Sequence, residues 1–154
     1  MKQKQIVTTI FTLIILLFGC IGCEKKNDDV IRIGAILPLT GNLAYLGEEE
    51  KNVLTILQEQ INETEDTKVL FMFEDSKGNA RDGLTAYNKL RSQNVNYYIT
   101  SLTIVARAVA PLIDRNNHLQ FVLSIDPSIT PDYSNTIQLY YNIADEMNVI
   151  ADYI

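Results

Sequence analysis

Cysteine and histidine are scarce in this sequence of 154 residues. Cys20 and Cys23 are its two cysteines, and His118 is its single histidine. The region after Cys23 therefore has no disulfide framework, no thiolate nucleophile and no cysteine-based metal site. One histidine also argues against a His-rich metal site and a Ser-His-Asp triad. We expect no catalytic residue, metal or cofactor, and we interpret His118 as a surface residue before a strand.

Glycine-rich phosphate motifs and an excess of basic residues are missing as well. The chain has no Gly-x-Gly-x-x-Gly and no Gly-Lys-Ser/Thr, so a nucleotide site has little support. Its 13 Lys and Arg stand against 19 Asp and Glu, a formal net charge of −6. Binding to nucleic acid requires clustered basic side chains that neutralise phosphates. We therefore expect no nucleic acid partner.

The amino terminus has the composition of an export signal. Residues 1–5 carry two lysines, residues 6–18 are apolar apart from threonines, and glycine and cysteine follow. A basic start, a short apolar run and small residues at its exit are typical of a secretory signal peptide, here residues 1–19. The run is shorter than the roughly 20 apolar residues that a membrane-spanning helix needs. An N-terminal anchor helix or a buried core helix is the alternative.

The two cysteines indicate how the exported chain is held. Residues 17–20, Leu-Phe-Gly-Cys, resemble the lipobox of bacterial lipoproteins, which implies lipidation at Cys20, with Cys23 as the competing position. Several acyl chains hold a protein durably at a membrane, whereas one chain does so only marginally. A disulfide between Cys20 and Cys23 is the other interpretation. The polar residues that follow make 20–29 a tether, and the folded region is 30–154.

From Val30 onward, short apolar runs alternate with segments of helical periodicity. Predicted strands cover 30–37, 68–73, 97–100, 120–125 and 136–141. Predicted helices cover 48–61, 80–93, a segment from about 104, and a last one from about 145. In the first helix Val53, Leu54, Leu57 and Ile61 form the apolar stripe, and the acidic residues 48–50 at its start complement the helix dipole.

This alternation predicts an α/β fold, a parallel sheet in three layers with helices on both faces. The length after the tether suits one lobe of this kind. Ligands of such sheets bind beyond the carboxyl ends of the strands. The candidates there are Tyr45, Leu46, Asp75, Thr103 and Ser128. Each has a structural alternative, namely helix capping for the two hydroxyls, loop packing for the tyrosine and a turn for the aspartate.

Several stretches resemble one known family. Residues 31–41, Ile-Arg-Ile-Gly-Ala-Ile-Leu-Pro-Leu-Thr-Gly, are similar to the opening of type I periplasmic binding proteins of the branched-chain amino acid (Leu/Ile/Val) family. The likeness continues through Gly47-Glu48, Gln60-Ile61-Asn62, Glu74-Asp75 and residues 108–111, and it covers essentially all of residues 30–154. These proteins are the solute receptors of ABC importers, and they close two lobes on a ligand by a hinge motion.

The resemblance implies the first lobe of a lipoprotein solute receptor that is not an enzyme. Its expected ligand is an amino acid or a similar small polar solute, and its expected partner is an ABC permease in the membrane. The expected location is the extracytoplasmic face of the membrane, in the periplasm or at the cell surface. By position in the family, the ligand-contacting groups are Tyr45 and Leu46, Thr103 and Ser128. A sensing ectodomain on the same fold is the first alternative, and a secreted hydrolase is the second.

Overall fold

The computed structural model describes residues 30–140 and 143–153. The predicted signal peptide 1–19, the lipidation candidates Cys20 and Cys23, and the rest of the tether to residue 29 lie outside the described residues. Among the helices that are described, none is both long enough and apolar enough to span a bilayer.

Strands and helices alternate along the described chain. The strands are β1 (Val30–Leu37), β2 (Lys68–Asp75), β3 (Tyr97–Ser101), β4 (Leu119–Leu123) and β5 (Thr136–Gln138). The helices are α1 (Ala44–Thr64), α2 (Ala80–Arg91), α3 (Thr103–Arg115) and α4 (Ile143–Ala151). A turn of 3₁₀ helix at Thr130–Asp132 precedes β5.

All five strands are parallel and lie in the order β2-β1-β3-β4-β5. Ile33 of β1 stands beside Phe71 on one side and Tyr97 on the other. The chain thus moves from β1 to β2 on one side and then crosses back to β3 on the other. This reversal is a topological switch point, where open parallel sheets bind their ligands. The predicted parallel α/β sheet is confirmed.

Helices cover both faces of the sheet. On one face α2 and α3 enclose a cluster of nine buried residues: Ile36, Ala86, Tyr87, Leu90, Val95, Tyr98, Val105, Val109 and Ile113. On the other face α1 contributes Leu54 to a second cluster, with Ala35, Leu37, Phe71 and Ile99. Neighbouring residues of β1 enter different clusters because successive side chains of a strand point to opposite faces. The predicted three layers are therefore present.

The first helix differs from its prediction. It begins at Ala44, four residues before the predicted start, so the acidic residues 48–50 lie beyond its first turn. Leu54 is buried, but Val53 is 64% exposed and Leu57 is 41% exposed. The buried side of α1 instead contains Gly47, whose missing side chain lets the helix approach the backbone of Pro38.

Polar residues of α1 form hydrogen bonds to part of the outer edge of β2. Asn62 Oδ1 accepts a hydrogen bond from the Val69 N–H at 2.8 Å, and its Nδ2 donates to the Val69 carbonyl at 2.9 Å. Gln58 Oε1 accepts from the Phe71 N–H at 2.6 Å. Because an unpaired edge strand can recruit another chain, these two side chains protect the sheet from edge-to-edge pairing.

His118 lies directly before β4, as the sequence predicted, but its side chain is half-buried rather than fully exposed. Its ring stacks on Tyr98 with the ring centroids 5.4 Å apart, and its Nδ1 lies 3.1 Å from the Tyr87 hydroxyl. Burial and the nearby Arg91 charge lower the pKa of His118, so the neutral ring is favoured. The half-buried ring therefore borders the core beneath α2 and α3, at the amino-terminal end of β4.

Candidate functional site

The carboxyl ends of β3 and β4 form one side of a cavity of about 300 Å³. Its other walls come from α1 and from the chain after β5. The lining residues are Leu46, Glu50, Ser101, Leu102, Thr103, Leu123, Ser124, Ile125 and Tyr140. The cavity lies at the switch point of the sheet, so its position is the one that the strand order predicts for a ligand.

Two hydroxyl groups meet at the wall of this cavity. Thr103 Oγ1 and Ser124 Oγ share a hydrogen bond of 2.6 Å, and they join the start of α3 to the end of β4. Thr103 was expected either to contact a ligand or to cap α3. The N-cap residue is Leu102, and its side chain makes no capping hydrogen bond. The first N–H groups of a helix have no intrahelical partner, so the start of α3 can receive an anionic group.

Leu102 has an unusual backbone conformation. Its φ of 71° lies in a region that L-residues with a side chain rarely adopt. Conformations of this kind cost on the order of 1–3 kcal/mol and cluster at binding sites. Here the turn ends β3 and starts α3 within one residue. It brings Ser101, Leu102 and Thr103 to the cavity together.

Glu50 enters the cavity from α1. Its Oε1 accepts a hydrogen bond of 2.7 Å from Ser101 Oγ, and its Oε2 is buried. Burial raises the pKa of the Glu50 carboxyl, and the Ser101 hydrogen bond offsets part of that rise. A half-buried carboxyl therefore stands opposite the Thr103 and Ser124 hydroxyls in a cavity that is otherwise largely apolar.

The two predicted residues on the first loop lie at the start of α1. Leu46 lines the cavity. Tyr45 does not line it, and its side chain is 64% exposed. Successive residues of a helix point about 100° apart, which explains why only one of the two faces inward.

The Asp75 carboxylate accepts its hydrogen bonds from neighbouring residues of the same chain. Its Oδ2 accepts a hydrogen bond from Thr40 Oγ1 at 2.5 Å, and its Oδ1 accepts from the N–H groups of Leu39 and Lys77 at 2.9 and 2.8 Å. The carboxylate thereby fixes the loop that leads from β1 into α1. It does not line the cavity, and its contacts are those of the turn alternative.

Ser128 is likewise bonded to protein groups. Its hydroxyl donates to Asp126 Oδ1 at 2.7 Å and contacts Arg107 Nη2, which also reaches Asp126 Oδ2 at 2.9 Å. These contacts tie the loop after β4 to the second turn of α3. Ser128 stands outside the cavity, while Thr103 lies one helical turn before Arg107 on the same helix.

Glu50 and Ser124 were not among the predicted site residues. Ser124 was missed because the fourth strand was predicted to run to residue 125, whereas β4 ends at Leu123. Glu50 was assigned to the helix dipole because the predicted helix began too late. The spacing of Gly47, Glu50 and Leu54, at i, i+3 and i+7, is the signal that places Glu50 on the buried side of α1.

A second depression lies at the opposite edge of the sheet. Its volume is about 450 Å³, and its walls include asparagines at 96, 116, 117 and 135 together with His118. It is the larger of the two, but it lies at the amino-terminal ends of β3 and β4. Because parallel sheets bind ligands beyond the carboxyl ends of the strands, the smaller cavity is the stronger candidate.

The fold and the cavity together define a class, the α/β lobes built on a parallel sheet with an open cavity at its carboxyl edge. Comparison with known proteins identifies the family. Residues 30–154 match the family described as periplasmic binding protein, and the chain belongs to that family. The resemblance to type I proteins of the branched-chain amino acid group is thereby confirmed.

Two curated proteins of the Leu/Ile/Val-binding type are similar to this chain in sequence. A Leu/Ile/Val-binding protein homolog 3 of Brucella melitensis biotype 1 is 28% identical over 134 residues, which cover 80% of this chain and 35% of that protein. The Leu/Ile/Val-binding protein BraC3 of Rhizobium johnstonii is 31% identical over 129 residues, 80% of this chain and 34% of that one. The chain thus spans about a third of the length of these relatives.

Solved structures show the same fold at lower sequence identity. A solute-binding protein of an ABC transporter from Rhodopseudomonas palustris BisB5, in complex with 3,4-dihydroxybenzoic acid, superposes with a TM-score of 0.68 at 21% identity. The match covers 75% of this chain and 33% of that one. The arrangement of strands and helices described above is therefore shared with part of that protein.

Proposed function

We propose that the chain is the first lobe of an extracytoplasmic substrate-binding protein that supplies a branched-chain amino acid, or a similar small polar solute, to an ABC importer. The observation that carries this proposal is the cavity at the carboxyl edge of β3 and β4, with the Thr103–Ser124 hydroxyl pair in its wall. The names of the two curated relatives support the ligand class. The lobe binds its solute without chemical change, so it is not an enzyme.

The cavity suits both ends of such a ligand. The start of α3 and the hydroxyls of Thr103 and Ser124 can hold a carboxylate, because helix N-terminal N–H groups and hydroxyls donate to anions. Leu46, Leu102 and Leu123 offer apolar surface for an aliphatic side chain. A single lobe leaves the ligand half exposed, and a second lobe that closes by a hinge motion would bury the rest.

The other predicted residues have supporting places in this proposal. Tyr45 lies beside Leu46 at the start of α1, where its exposed ring would meet a closing second lobe. Asp75 holds the loop that carries α1, and Ser128 holds Arg107 near the start of α3. We therefore assign ligand contact to Leu46 and Thr103, closure to Tyr45, and positioning to Asp75 and Ser128.

The proposal includes export and attachment. Residues 1–19 act as a lipoprotein signal peptide, Cys20 carries the lipid, and residues 20–29 link the lipid to the lobe at residues 30–154. Growth of the producing cells with a labelled fatty acid tests this arrangement. The Cys20→Ser protein should carry no label, and the Cys23→Ser protein should keep it. The reverse pattern would indicate that Cys23 carries the lipid.

Calorimetry of the intact protein with leucine, isoleucine and valine tests the binding function. We expect micromolar affinity for at least one of them. Thr103→Val should weaken that affinity roughly tenfold, because it removes one hydrogen bond to a charged group. Thr85→Val is the matched control, since Thr85 is exposed on α2 and its hydroxyl bonds only to the Arg81 carbonyl of its own helix.

Two outcomes would contradict the proposal. If none of the three amino acids binds to the intact protein, the ligand class is wrong. If Thr103→Val and Thr85→Val bind with equal affinity, the cavity is not the site. Uptake of labelled leucine by cells that lack the gene separates transport from sensing. The loss of a transport component should lower the uptake rate, whereas the loss of a sensor should not.

A further inference from the structure

One oxygen of the Glu50 carboxyl is buried without a hydrogen-bond partner. Among the buried side-chain nitrogen and oxygen atoms of residues 30–140 and 143–153, Glu50 Oε2 is the one without a hydrogen-bond partner. Its sister atom Oε1 is fixed by Ser101 at 2.7 Å. Buried polar groups are nearly always hydrogen-bonded, so an orphaned carboxylate oxygen next to a cavity calls for a donor from outside the lobe.

The side chains that line the cavity supply no positive charge. None of its nine lining residues is Lys, Arg or His. Burial raises the pKa of Glu50, which is the direction expected for a carboxyl whose charge is not compensated. A buried carboxylate is stable only when a cation or strong donors accompany it. The partner of Oε2 must therefore come from outside this lobe, and a bound solute is the group that enters the cavity beside it.

We infer that Glu50 is a specificity-determining residue whose Oε2 accepts a hydrogen bond from a cationic amino group of the ligand. This inference rests on the proposed function and deepens it, since it selects solutes that carry both an ammonium and a carboxylate. The ammonium lies at Glu50 on α1, and the carboxylate lies at the start of α3 beside Thr103. The leucines between them take the aliphatic part.

Glu50 also rejects solutes that have a carboxylate and no amino group. Such a molecule places no cation at Oε2 and brings a second negative charge into a cavity of low polarity, where like charges repel strongly. The 3,4-dihydroxybenzoic acid of the Rhodopseudomonas structure is a solute of this kind. The residue thus separates amino acids from plain organic acids.

Leucine and 4-methylpentanoate test this inference, because they differ only in the amino group. Calorimetry on the intact protein should show leucine binding at least tenfold tighter than 4-methylpentanoate. Glu50→Gln should weaken leucine roughly tenfold and leave 4-methylpentanoate unchanged or tighter, so that the preference largely disappears. Glu49→Gln is the matched control, since Glu49 is exposed on the same helix.

The outcomes distinguish this inference from the proposed function. If leucine binds and Glu50→Gln keeps the preference of the wild type, Glu50 does not select the amino group. If the wild type binds both compounds equally well, the inference is overturned without any variant. If no branched-chain amino acid binds at all, the proposed function fails and this inference fails with it.

Discussion

Asp75 Oδ2 accepts a 2.5 Å hydrogen bond from Thr40 Oγ1, and this contact joins the end of β2 to the loop after β1. The N–H groups of Leu39, Thr40 and Lys77 donate to Oδ1 of the same carboxylate. One side chain therefore fixes the segment from which α1 departs. Since α1 carries Leu46 into the cavity, the shape of the site depends on a residue that does not line it.

We expect Asp75→Asn to lower the free energy of unfolding by about 1 kcal/mol at neutral pH. Partial burial raises the pKa of Asp75, but the hydrogen bonds from Thr40, Lys77 and Leu39 outweigh it and hold the pKa below its ordinary value. For a carboxyl with a lowered pKa in the folded state, the stabilisation is present above the unfolded pKa and is lost as pH falls through the folded one.

Urea denaturation at pH 7 and at pH 3 measures this effect. The difference between wild type and Asp75→Asn should shrink at the lower pH. Asp66→Asn serves as control, because Asp66 lies exposed in the loop before β2. A difference that grows towards pH 3 would contradict the role given to the carboxylate.

Glu50→Gln is expected to stabilise the ligand-free protein by on the order of 1 kcal/mol at pH 7, because the variant no longer buries an uncompensated charge. The folded pKa of Glu50 is raised above its ordinary value of 4.5, so the wild type loses stability as pH rises from there through the folded pKa. The gain from Gln should therefore vanish below pH 4.5. Thermal melting of the ligand-free protein between pH 4 and pH 7 measures this effect. A melting temperature of the variant below that of the wild type at neutral pH would refute the prediction.

Gly47→Ala should destabilise the lobe by at least about 2 kcal/mol. An added Cβ would lie 2.3 Å from the Pro38 carbonyl oxygen, and backbone cannot move aside cheaply. Gly83→Ala is the matched comparison, because its Cβ would meet Val105 Cγ1 at 2.8 Å, which is a side-chain atom rather than backbone. Both glycines are buried in helices, so chemical denaturation that showed equal losses would argue against the backbone contact.

Loss of the two polar side chains of α1 that bond to the edge of β2 should cause self-association. In the double variant Gln58→Ala, Asn62→Ala, the N–H groups of Val69 and Phe71 lose their partners and become available to another strand. Light scattering after size exclusion should detect dimers or larger species. The control pair is Gln60→Ala, Asn88→Ala, at exposed positions on α1 and α2; association of the control to the same extent would contradict the protective role.

Local signals predicted most of the secondary structure well. The limits of β1 were correct because an unbroken apolar run ends at Pro38, which cannot continue a strand ladder. The start of α2 was correct because Asn79 caps it, with Oδ1 accepting from the Asp82 N–H at 2.9 Å. Within α3, Val105, Val109 and Ile113 are buried, and their spacing at i, i+4 and i+8 places them on one side of the helix.

The errors have a common physical source. The late start predicted for α1 followed from interpreting the glycine-containing segment before Glu48 as a loop. Gly47 in fact lies inside the helix, where its missing side chain allows close contact with the Pro38 backbone. His118 was assigned to the surface because nothing near it in the chain shows that Tyr87 and Tyr98 contact its ring and bury part of it. In both cases the deciding contacts come from residues distant in sequence.

The amino-acid sequence was sufficient for the α/β class and for a parallel sheet with helices on both faces, because periodicity and the alternation of strands and helices follow from neighbours along the chain. It was not sufficient for the chemistry of the cavity. Glu50 meets Ser101 across 51 positions, and Thr103 meets Ser124 across 21. These contacts exist only after α1 and α3 have packed against the sheet, since packing alone brings side chains so far apart in sequence into one site.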